Sequence, residues 1–393
     1  MWATRAAVAE RAVCARHLRP LWGLPGTLLG VSGWPAAPVE LIFGPWNYWW
    51  QAHVLDCLVD AYVRSPDSER RSRIERQLNG IRIRAVRSWL NDYYDDMAWL
   101  ALAVQRAEKH ADVRRPAALP SLSEDIRAGW TDLSGGGVWW RKWEKYHDDF
   151  KNVPTNGPAA ILFARLPDET TGVEGGSNRK LALAAVEWME QHLIDPVTGL
   201  VYDGLHVDQD DSIRGIGKEI YTYCQGVFLG ACVELAVREQ ADGDGRDGAV
   251  WAARAVRTVE AVAAHLTDAD AEAGPALRGQ GGGDGGLFAA ILARYLVLAA
   301  VELPGLGAVY EPVGQLAADL VFSSAEAAWR NRVAAPRGPL FGPDWTTKAV
   351  LPGHTGPPER DLSVQAGGWM LLEMAAVLER AGITPSDGAG YGN

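Results

Sequence analysis

Two adjacent aspartates at the start of a predicted helix are the residues best placed to do chemistry. Asp95 and Asp96 lie in the segment YYDDMAWLALAV, where apolar residues at helical spacing predict a helix over 94–110. Tyr94 and Trp99 give the two carboxyl groups an aromatic setting. Mutual repulsion and removal from water should therefore drive their pKa values apart. Asp92 or Asp95 could instead serve only as an N-cap for the first helical turn.

Two carboxyl groups with different pKa values are what glycoside hydrolysis requires, because one must be ionised and the other protonated. Neighbouring residues of a helix diverge by about 100° around its axis, which places their Cβ atoms about 5–6 Å apart. Retaining enzymes hold their two carboxyl groups about 5–5.5 Å apart, whereas inverting enzymes leave room for a water between them. The spacing of Asp95 and Asp96 therefore favours a retaining mechanism.

A glycine-rich segment, GGGVWWRKW (135–143), supplies aromatic rings that could bind a sugar. The faces of Trp139, Trp140 and Trp143 could stack on the apolar C–H faces of pyranose rings, or the rings could pack the loop against the protein. Asn156 follows near a predicted helix start, where it could be an N-cap or reach a sugar hydroxyl.

Further candidates for sugar contact lie near other predicted helix starts. Trp49 lies at the start of a helix predicted over 46–64, and Tyr221 and Gln225 begin one predicted over 221–239. Asp203, in GLVYDG, could accept hydrogen bonds from sugar hydroxyls or serve only a turn.

Motifs for other chemistries are missing. The chain has no GxSxG, no HExxH and no GxGxxG after a predicted strand, and its four cysteines show no CxxC spacing. We therefore expect neither a cofactor nor a metal site. The GQGGGDGG run around Asp284 lacks the GK[ST] of a phosphate loop and is expected to be a flexible turn. His53 is expected to be a buried core histidine.

Composition narrows the class of ligand. The chain has 393 residues, a net charge of −11 and 17 tryptophans against seven phenylalanines. An acidic chain offers no basic face for nucleic acid, and an acidic cleft suits a neutral sugar better than a phosphate. Tryptophan is favoured over phenylalanine where an apolar face and an N–H group are both used.

Helical periodicity dominates the chain and predicts an all-α fold. We predict twelve helices, over 2–17, 46–64, 67–87, 94–110, 119–130, 156–166, 178–193, 221–239, 247–266, 286–301, 307–330 and 361–381. Long loops rich in Gly, Trp and Asp fall about every second helix, which suits six helical hairpins in a ring with their long loops on one face. Residues 1–393 show no linker and are expected to form one catalytic domain.

Several motifs together resemble glycoside hydrolase family 76, the α-1,6-mannanase family. They are YYDDMAW, GGGVWW, NGPAAILFARL, GLVYDG, YTYCQGVFLGA and GGLFAAILARYL, and they occur in the family's order from about Trp46 to Leu378. The resemblance implies an (α/α)6 barrel and a retaining enzyme that cleaves within α-1,6-linked mannose chains. By motif position it implies that Asp95 is the nucleophile, Asp96 the general acid/base and Asp203 a contact for the sugar at the cleaved bond.

Alternatives on the same fold are a mannan transglycosylase and a binding protein for α-mannan that has lost catalysis. Barrel enzymes acting on uronides are a third alternative, but no catalytic His is evident and the net charge suits anionic substrates poorly. The expected partner is α-mannan or a mannooligosaccharide. No run of eighteen apolar residues indicates a membrane span. The charged N-terminal segment lacks a signal-peptide core, so a cytoplasmic location is expected unless a leader was removed.

Overall fold

The computed structural model describes residues 1–42, 44–142, 145, 149–168, 177–208, 210–242, 246–270, 273–353 and 356–386. Trp143, one of the three aromatic residues singled out in the glycine-rich segment, lies outside these ranges. Helices account for most of the described chain. They are α1 (Trp2–His17), α2 (Pro38–Ile42), α3 (Tyr48–Arg64), α4 (Ser68–Arg84), α5 (Tyr94–Ala111), α6 (Ala118–Ala128), α7 (Val153–Arg165), α8 (Asn178–Leu193), α9 (Thr222–Asp242), α10 (Arg246–His265), α11 (Gly285–Leu306), α12 (Glu311–Asn331) and α13 (Leu362–Arg380).

Six of these helices form an inner ring. Helices α3, α5, α7, α9, α11 and α13 each pack against the next, and α13 packs back against α3 to close the ring. An outer helix covers each of them: α4 on α3, α6 on α5, α8 on α7, α10 on α9, α12 on α11 and α1 on α13. The chain is therefore an (α/α)6 barrel, and the expected ring of six hairpins is confirmed.

The sequence of each helix matches its place in the ring. Helix α7 is buried at nearly every position because it contacts neighbours on all sides, whereas outer helix α4 buries only a few residues along one face. Small residues let the inner helices approach closely. A Cβ atom added to Gly226 of α9 would lie 2.8 Å from the Cα atom of Leu292 in α11.

All six inner helices begin at the same end of the barrel, and the segments that lead into them carry short strands that the sequence analysis did not predict. These are β1 (Leu18–Arg19), β2 (Leu29–Gly30), β3 (Phe150–Asn152), β4 (Gly204–Val207), β5 (Ile213–Gly217), β6 (Thr267–Asp270), β7 (Gly274–Leu277), β8 (Val333–Ala335) and β9 (Gly338–Leu340). They pair antiparallel as β1–β2, β3–β4–β5, β6–β7 and β8–β9. We call this the cleft end of the barrel.

Helix α11 is the one described helix long and apolar enough to cross a membrane. Two thirds of the most apolar stretch of this helix is buried inside the barrel. This is the composition expected of an inner helix that is packed on all sides, and by itself it is weak evidence for a membrane span.

Candidate active site

A cleft of about 600 Å³ opens at the cleft end of the barrel, within the size range of small-molecule sites. Inner helices α3, α5, α9 and α11 contribute residues from their first turns. Four carboxyl groups line the cleft, those of Asp95, Asp96, Asp203 and Asp284. Eight aromatic rings line it as well: Trp49, Tyr93, Trp99, Trp140, Phe150, Tyr221, Tyr223 and Phe288. Asn152, Gln280, Gly282 and Gly285 complete the lining.

The first turn of α5 presents Asp95 and Asp96 to this cleft. Asp95 Oδ1 accepts the backbone N–H of Asp96 at 2.8 Å, and Asp95 Oδ2 accepts the indole N–H of Trp140 at 3.1 Å. Asp96 Oδ2 accepts the side-chain amide of Asn91 at 2.5 Å. The positive end of the helix dipole lies beside both carboxyl groups and favours their ionised forms.

Burial raises the pKa of each of these two carboxyl groups more than the favourable contacts lower it. Both aspartates are half-buried and face the cleft, so their carboxyl groups are only partly hydrated. Burial raises the pKa of Asp95 to about 7, although the N–H donors of Asp96 and Trp140 act to lower it. Burial and the negative charge of Asp95 raise the pKa of Asp96 well above its usual range. The pKa values of both aspartates are thus raised, and the groups that favour ionisation gather on Asp95.

Asp203 and Asp284 add two further acids. Burial and the nearby charge of Glu219 raise the pKa of Asp203 to about 6, and Cys224 Sγ donates to its Oδ1 at 3.8 Å. Asp284 Oδ1 accepts two indole N–H groups, from Trp49 at 3.0 Å and Trp50 at 2.8 Å. Asp284 was expected to lie in a flexible turn, but these two bonds hold its side chain against the cleft wall.

No basic side chain balances these acids. Among the described residues that line the cleft there is no Lys, Arg or His. Across the described ranges no group of three or more His, Cys, Asp or Glu residues could hold a metal ion. An anionic ligand would therefore meet four acids and no counter-charge, whereas a neutral polyhydroxylated ligand would find hydrogen-bond acceptors.

Aromatic rings form the apolar part of the wall. Tyr223 and Phe288 stack with ring centroids 3.9 Å apart and planes inclined by 7°. Trp49 lies 6.2 Å from Phe288, and Trp99 lies 6.5 Å from Tyr223. These rings offer apolar faces next to the acids. A sugar ring has apolar C–H faces and an edge of hydroxyl groups, so it can stack on the rings and donate hydrogen bonds to the acids.

The structure brings six of the ten predicted site residues to the cleft. Those that line it are Trp49, Asp95, Asp96, Trp140, Asp203 and Tyr221. Tyr94, Trp139, Asn156 and Gln225 do not belong to its lining. The buried ring of Tyr94 packs on Gly129, where an added Cβ atom would lie 2.7 Å from the ring, and the preceding residue Tyr93 faces the cleft instead.

Trp139 and Trp140 point in different directions because they are neighbours in extended backbone. The ring of Trp139 is buried, with Lys151 Nζ 4.8 Å from its centroid, whereas Trp140 reaches Asp95. The alternation of an extended segment thus sends one tryptophan into the protein and one into the cleft.

Asn156 and Gln225 are fully buried and bind backbone. Asn156 accepts the N–H of Val138 at 2.7 Å and donates to its C=O at 3.0 Å, while Asn152 takes the N-cap position that Asn156 was expected to fill. Gln225 accepts the N–H of Val201 at 2.7 Å and donates to its C=O at 2.8 Å. Each amide holds the loop that leads into its own helix.

These amides belong to a repeated feature that we call the amide clamp. Gln51 binds the N–H and C=O groups of Gly30 in the same way, and Gln365 binds those of Phe341. All four clamps occupy the fourth residue of an inner helix. In α5 and α11 the fourth residues are Met97 and Phe288, and these are the helices that begin at the Asp95–Asp96 pair and at Asp284.

Two of the clamps act directly on the cleft. The clamped residue Val138 lies two positions before Trp140, and the clamped residue Val201 lies two positions before Asp203. Asn156 and Gln225 therefore position two cleft residues without lining the cleft.

Sequence reasoning missed Tyr93, Tyr223, Phe288 and Asp284 as cleft residues. A signal for three of them was present, because Tyr93, Tyr223 and Asp284 lie at inner-helix starts, as do the residues that were identified. Phe288 faces the cleft from the fourth position of α11, where four of the other five inner helices carry an amide. To identify Phe288 as a cleft residue, the starts of all six inner helices must be compared, and no single motif contains that information.

The chain matches a known protein family and is similar to solved structures. The family described as Glycosyl hydrolase family 76 matches residues 22–376. No curated protein matches the chain in sequence. The structure of the GH76A α-1,6-mannanase from Salegentibacter sp. HEL1_6 is 29% identical, with a TM-score of 0.77, and the match covers 96% of this chain and 100% of that one.

Two further solved structures are similar. An inactive variant of the same Salegentibacter enzyme, with two adjacent aspartates replaced by asparagine, was solved in complex with α-1,6-mannotriose, and it has the same identity, coverage and TM-score. The Lin0763 protein from Listeria innocua is 26% identical, with a TM-score of 0.77, and the match covers 98% of this chain and 99% of that one.

Proposed function

Because the chain belongs to glycosyl hydrolase family 76, we propose that it is a retaining glycosidase that cleaves α-1,6-mannosidic linkages. The observation that carries this proposal is the Asp95–Asp96 pair, which is buried in the cleft with no basic residue in the described lining. Such an arrangement opposes ionisation of both carboxyl groups together and leaves one proton available near neutral pH.

The hydrogen bonds of the pair support distinct roles. Asp95 receives N–H donors on both oxygens, which favours the ionised form that a nucleophile requires. The pKa of Asp96 is raised well above its usual range, and Asn91 donates to only one of its oxygens, which leaves the other to carry a proton. We assign Asp95 as the nucleophile and Asp96 as the general acid/base.

The reaction then has two steps. Asp95 attacks the anomeric carbon while Asp96 protonates the departing glycosidic oxygen, which gives a glycosyl–Asp95 ester. Asp96, now ionised, removes a proton from water, and the resulting hydroxide equivalent attacks the anomeric carbon and releases Asp95. Two inversions at one carbon give net retention.

The remaining cleft residues support a neutral sugar as substrate. Asp203 and Asp284 can accept hydrogen bonds from hydroxyl groups, and Trp49, Tyr223 and Phe288 offer apolar faces. A similar protein binds α-1,6-mannotriose, which supports mannose with this linkage as the unit recognised.

The first experiment follows the anomeric configuration of the initial product by NMR, with α-1,6-mannotetraose as substrate. We expect the α anomer of the new reducing end to appear first and the β anomer to accumulate only by mutarotation. A β anomer formed first would exclude retention. The Asp95→Asn/Asp96→Asn double variant is the control for any contaminating activity.

A second experiment assigns the two roles through azide rescue of the single variants. The substrate is the 4-nitrophenyl α-glycoside of α-1,6-mannobiose, whose leaving group departs without protonation. With Asp96→Asn we expect azide to accelerate turnover and give the α-glycosyl azide, because azide attacks the ester on Asp95. With Asp95→Asn the ester cannot form, so any azide product should be the β anomer. The opposite pattern would exchange the two roles.

The same reactions distinguish the two alternatives. A transglycosylase would give products longer than the tetraose, because an acceptor hydroxyl replaces water in the second step. A protein that only binds mannan would give no product while still showing binding of the tetraose by calorimetry.

A further inference from the structure

A second groove lies at the cleft end of the barrel, in the segment that joins outer helix α1 to inner helix α3. We call it the Trp22 groove. It has a volume of about 780 Å³, and its character is set by Arg19, Trp22, Leu41, Ile42, Trp46 and Arg84. The described residues of 18–47 (18–42 and 44–47) do not belong to the lining of the sugar cleft, so this groove is a separate feature.

The outer edge of the groove is apolar and exposed. Trp22 is 52% exposed, Leu41 49% and Ile42 53%, and helix α2, to which Leu41 and Ile42 belong, buries none of its residues. The indole N–H of Trp22 already donates to the C=O of Ile42 at 3.1 Å, so the exposed part of this side chain is its apolar ring. Contiguous exposed apolar side chains on a folded protein mark interaction surfaces.

Arginines surround this apolar edge. Arg19 lines the groove, and Arg84 stacks on Trp22 with its guanidinium carbon 5.8 Å from the ring centroid. Arg82 and Arg87, both exposed, line a neighbouring pocket together with Pro25, three residues after Trp22. Across the described ranges no carboxylate forms a salt bridge with any of these four. The acid of the groove, Glu40, is already bound to Arg360 at 2.8 Å.

The local charge is therefore opposite to that of the whole molecule. The chain carries a net charge of −11, and most of its arginines are paired with acids. Unpaired guanidinium groups beside exposed Trp, Leu and Ile give a surface that is both cationic and apolar. Guanidinium groups recognise phosphate oxygens through paired hydrogen bonds.

We propose that the Trp22 groove and its arginine border dock the protein on a membrane that contains anionic phospholipids. Trp22, Leu41 and Ile42 enter the boundary between headgroups and acyl chains, and Arg19, Arg82, Arg84 and Arg87 bind the phosphates. Tryptophan is enriched at this depth of a bilayer. A sugar ligand would match the indole but not the two aliphatic side chains, and a membrane matches both.

This docking places the sugar cleft near the lipid surface, because both features lie at the same end of the barrel. The binding itself does not depend on the proposed catalytic activity, so the two can fail separately.

The test measures co-sedimentation of the protein with vesicles. One set of vesicles is pure phosphatidylcholine and the other contains about one third phosphatidylglycerol. We expect binding to the anionic vesicles that weakens as salt is raised from 50 to 500 mM, because each surface arginine contributes about fivefold to affinity through screened charge. Equal binding to both vesicle types, or none to either, would overturn the proposal.

Two variants and two matched controls test the location. Leu41→Asp should weaken vesicle binding about tenfold. Arg87→Glu should weaken it about fivefold or more. Val309→Asp changes an exposed valine (79% exposed) elsewhere on the surface, and Arg11→Glu makes the same charge change on helix α1, so neither control should affect binding. If the controls weaken binding as much as the groove variants, the groove is not the docking site.

Two other measurements identify a different occupant. Self-association of the wild type in analytical ultracentrifugation that is abolished by Leu41→Asp would show that the groove binds a second copy, and would overturn the proposal. Weaker binding of α-1,6-mannohexaose by Leu41→Asp would show an extended sugar site and would overturn it as well.

Discussion

Two pairs of aspartates on inner helices, one at the cleft end and one deeper in the barrel, have opposite surroundings. Asp95 and Asp96 begin inner helix α5 and meet no counter-charge in the described cleft lining. Asp56 and Asp60 lie on inner helix α3, at a cavity of about 220 Å³ toward the other end. Asp56 and Asp60 both bind Arg106. Both also bind Arg294, with N–O distances of 3.1 Å for Asp56 and 2.6 Å for Asp60.

The pKa values of Asp95 and Asp56 differ because their charged partners differ. Burial acts to raise the pKa of both Asp95 and Asp56. It raises that of Asp95 to about 7, whereas at Asp56 the guanidinium groups of Arg106 and Arg294 overcome burial and lower the pKa to about 2. Helix α5 contributes both the unpaired acids and Arg106, about 16 Å apart along its axis.

The difference separates a structural use of buried charge from a chemical one. Paired acids and arginines satisfy one another where the inner helices meet, so they stabilise one arrangement of the ring. The acids of the cleft destabilise the fold at neutral pH, and their unbalanced burial is what a proton donor and a nucleophile need. Five predictions test this contrast.

The largest effect is expected on activity when the unpaired acids are neutralised. Asp95→Asn and Asp96→Asn should each lower kcat/KM on α-1,6-mannotetraose by about 10³-fold or more, equivalent to about 4 kcal/mol of transition-state stabilisation. Their free energies of unfolding should equal or exceed that of the wild type, because each change removes a carboxyl group that folding must either protonate or hold as an unpaired charge at neutral pH. A variant that keeps near wild-type kcat/KM would exclude its aspartate from the chemistry.

The paired acids should show the reverse. Asp60→Ala leaves the charges of Arg106 and Arg294 without one of their partners and should lower the free energy of unfolding in urea by about 3–5 kcal/mol. The folded fraction of this variant should retain wild-type kcat. A stable Asp60→Ala variant with lost activity would mean that the far cavity takes part in the reaction.

Variants of two amide clamps test whether a clamped loop serves the cleft or only the fold. Gln225→Leu and Gln51→Leu each remove the partner of a clamped backbone N–H and C=O pair and of one further backbone C=O, so each should destabilise the protein by at least about 1–3 kcal/mol. Gln51→Leu also removes the acceptor of the Gln77 amide, so its loss of stability should be the larger. Gln225 holds the loop that carries Asp203, whereas Gln51 holds a loop with no residue in the cleft lining. We expect kcat/KM to fall about tenfold only for Gln225→Leu. Equal losses in both variants would assign Gln225 a purely structural role.

The two acid pairs should also give stability opposite dependences on pH. The folded-state pKa of Asp95 is raised, so between about pH 4 and 7 the folded protein holds a proton that the unfolded chain has lost, and stability falls as pH rises. The folded-state pKa of Asp56 is lowered, so its stabilisation is present above about pH 4 and is lost as pH falls toward 2.

Thermal unfolding of two variants across this range measures the contrast. Relative to the wild type, the Tm of Asp95→Asn should rise between pH 4 and 7, and the deficit in Tm of Asp56→Asn should shrink below pH 4. Parallel pH dependences for both variants and the wild type would show that neither aspartate is perturbed.

The smallest effect concerns the indole that binds Asp95. Trp140→Phe keeps an aromatic ring but removes the N–H donor that favours the ionised carboxylate. The pKa of Asp95 should rise further, so the acid limb of the pH profile of kcat/KM should move to higher pH. An acid limb that does not move would mean that the indole contributes packing only.

The sequence predicted the elements of this molecule better than their contacts. All twelve predicted helices and the Asp95–Asp96 pair could be identified because each depends on local spacing. The short strands could not, since they are two to five residues long and pair only within loops fixed at both ends by the barrel. Asn156 and Gln225 were expected to contact the sugar, but their amides bind backbone, because polar residues near a helix start look alike whether they face a ligand or a backbone.

Contacts between distant segments explain the other differences. Asp284 sits in a glycine run that looks unstructured until Trp49 and Trp50, some 235 residues away, donate to it. The pairing of Asp56 and Asp60 with Arg294 likewise joins residues 234 or more positions apart. No local pattern records which acids find a cation and which do not, and that distinction separates the two regions.

The most direct test of the central claim is to trap the glycosyl-enzyme and locate its ester. A fluoroglycoside inactivator built on α-1,6-mannobiose, which forms the ester quickly and hydrolyses it slowly, is incubated with the protein, and the digest is sequenced by tandem mass spectrometry. We predict one mannobiosyl label, on Asp95, which is absent from the Asp95→Asn variant, with Asp56 and Asp60 unmodified in the same digest. A label on Asp96, Asp203 or Asp284, or a fully labelled Asp95→Asn variant, would contradict the account.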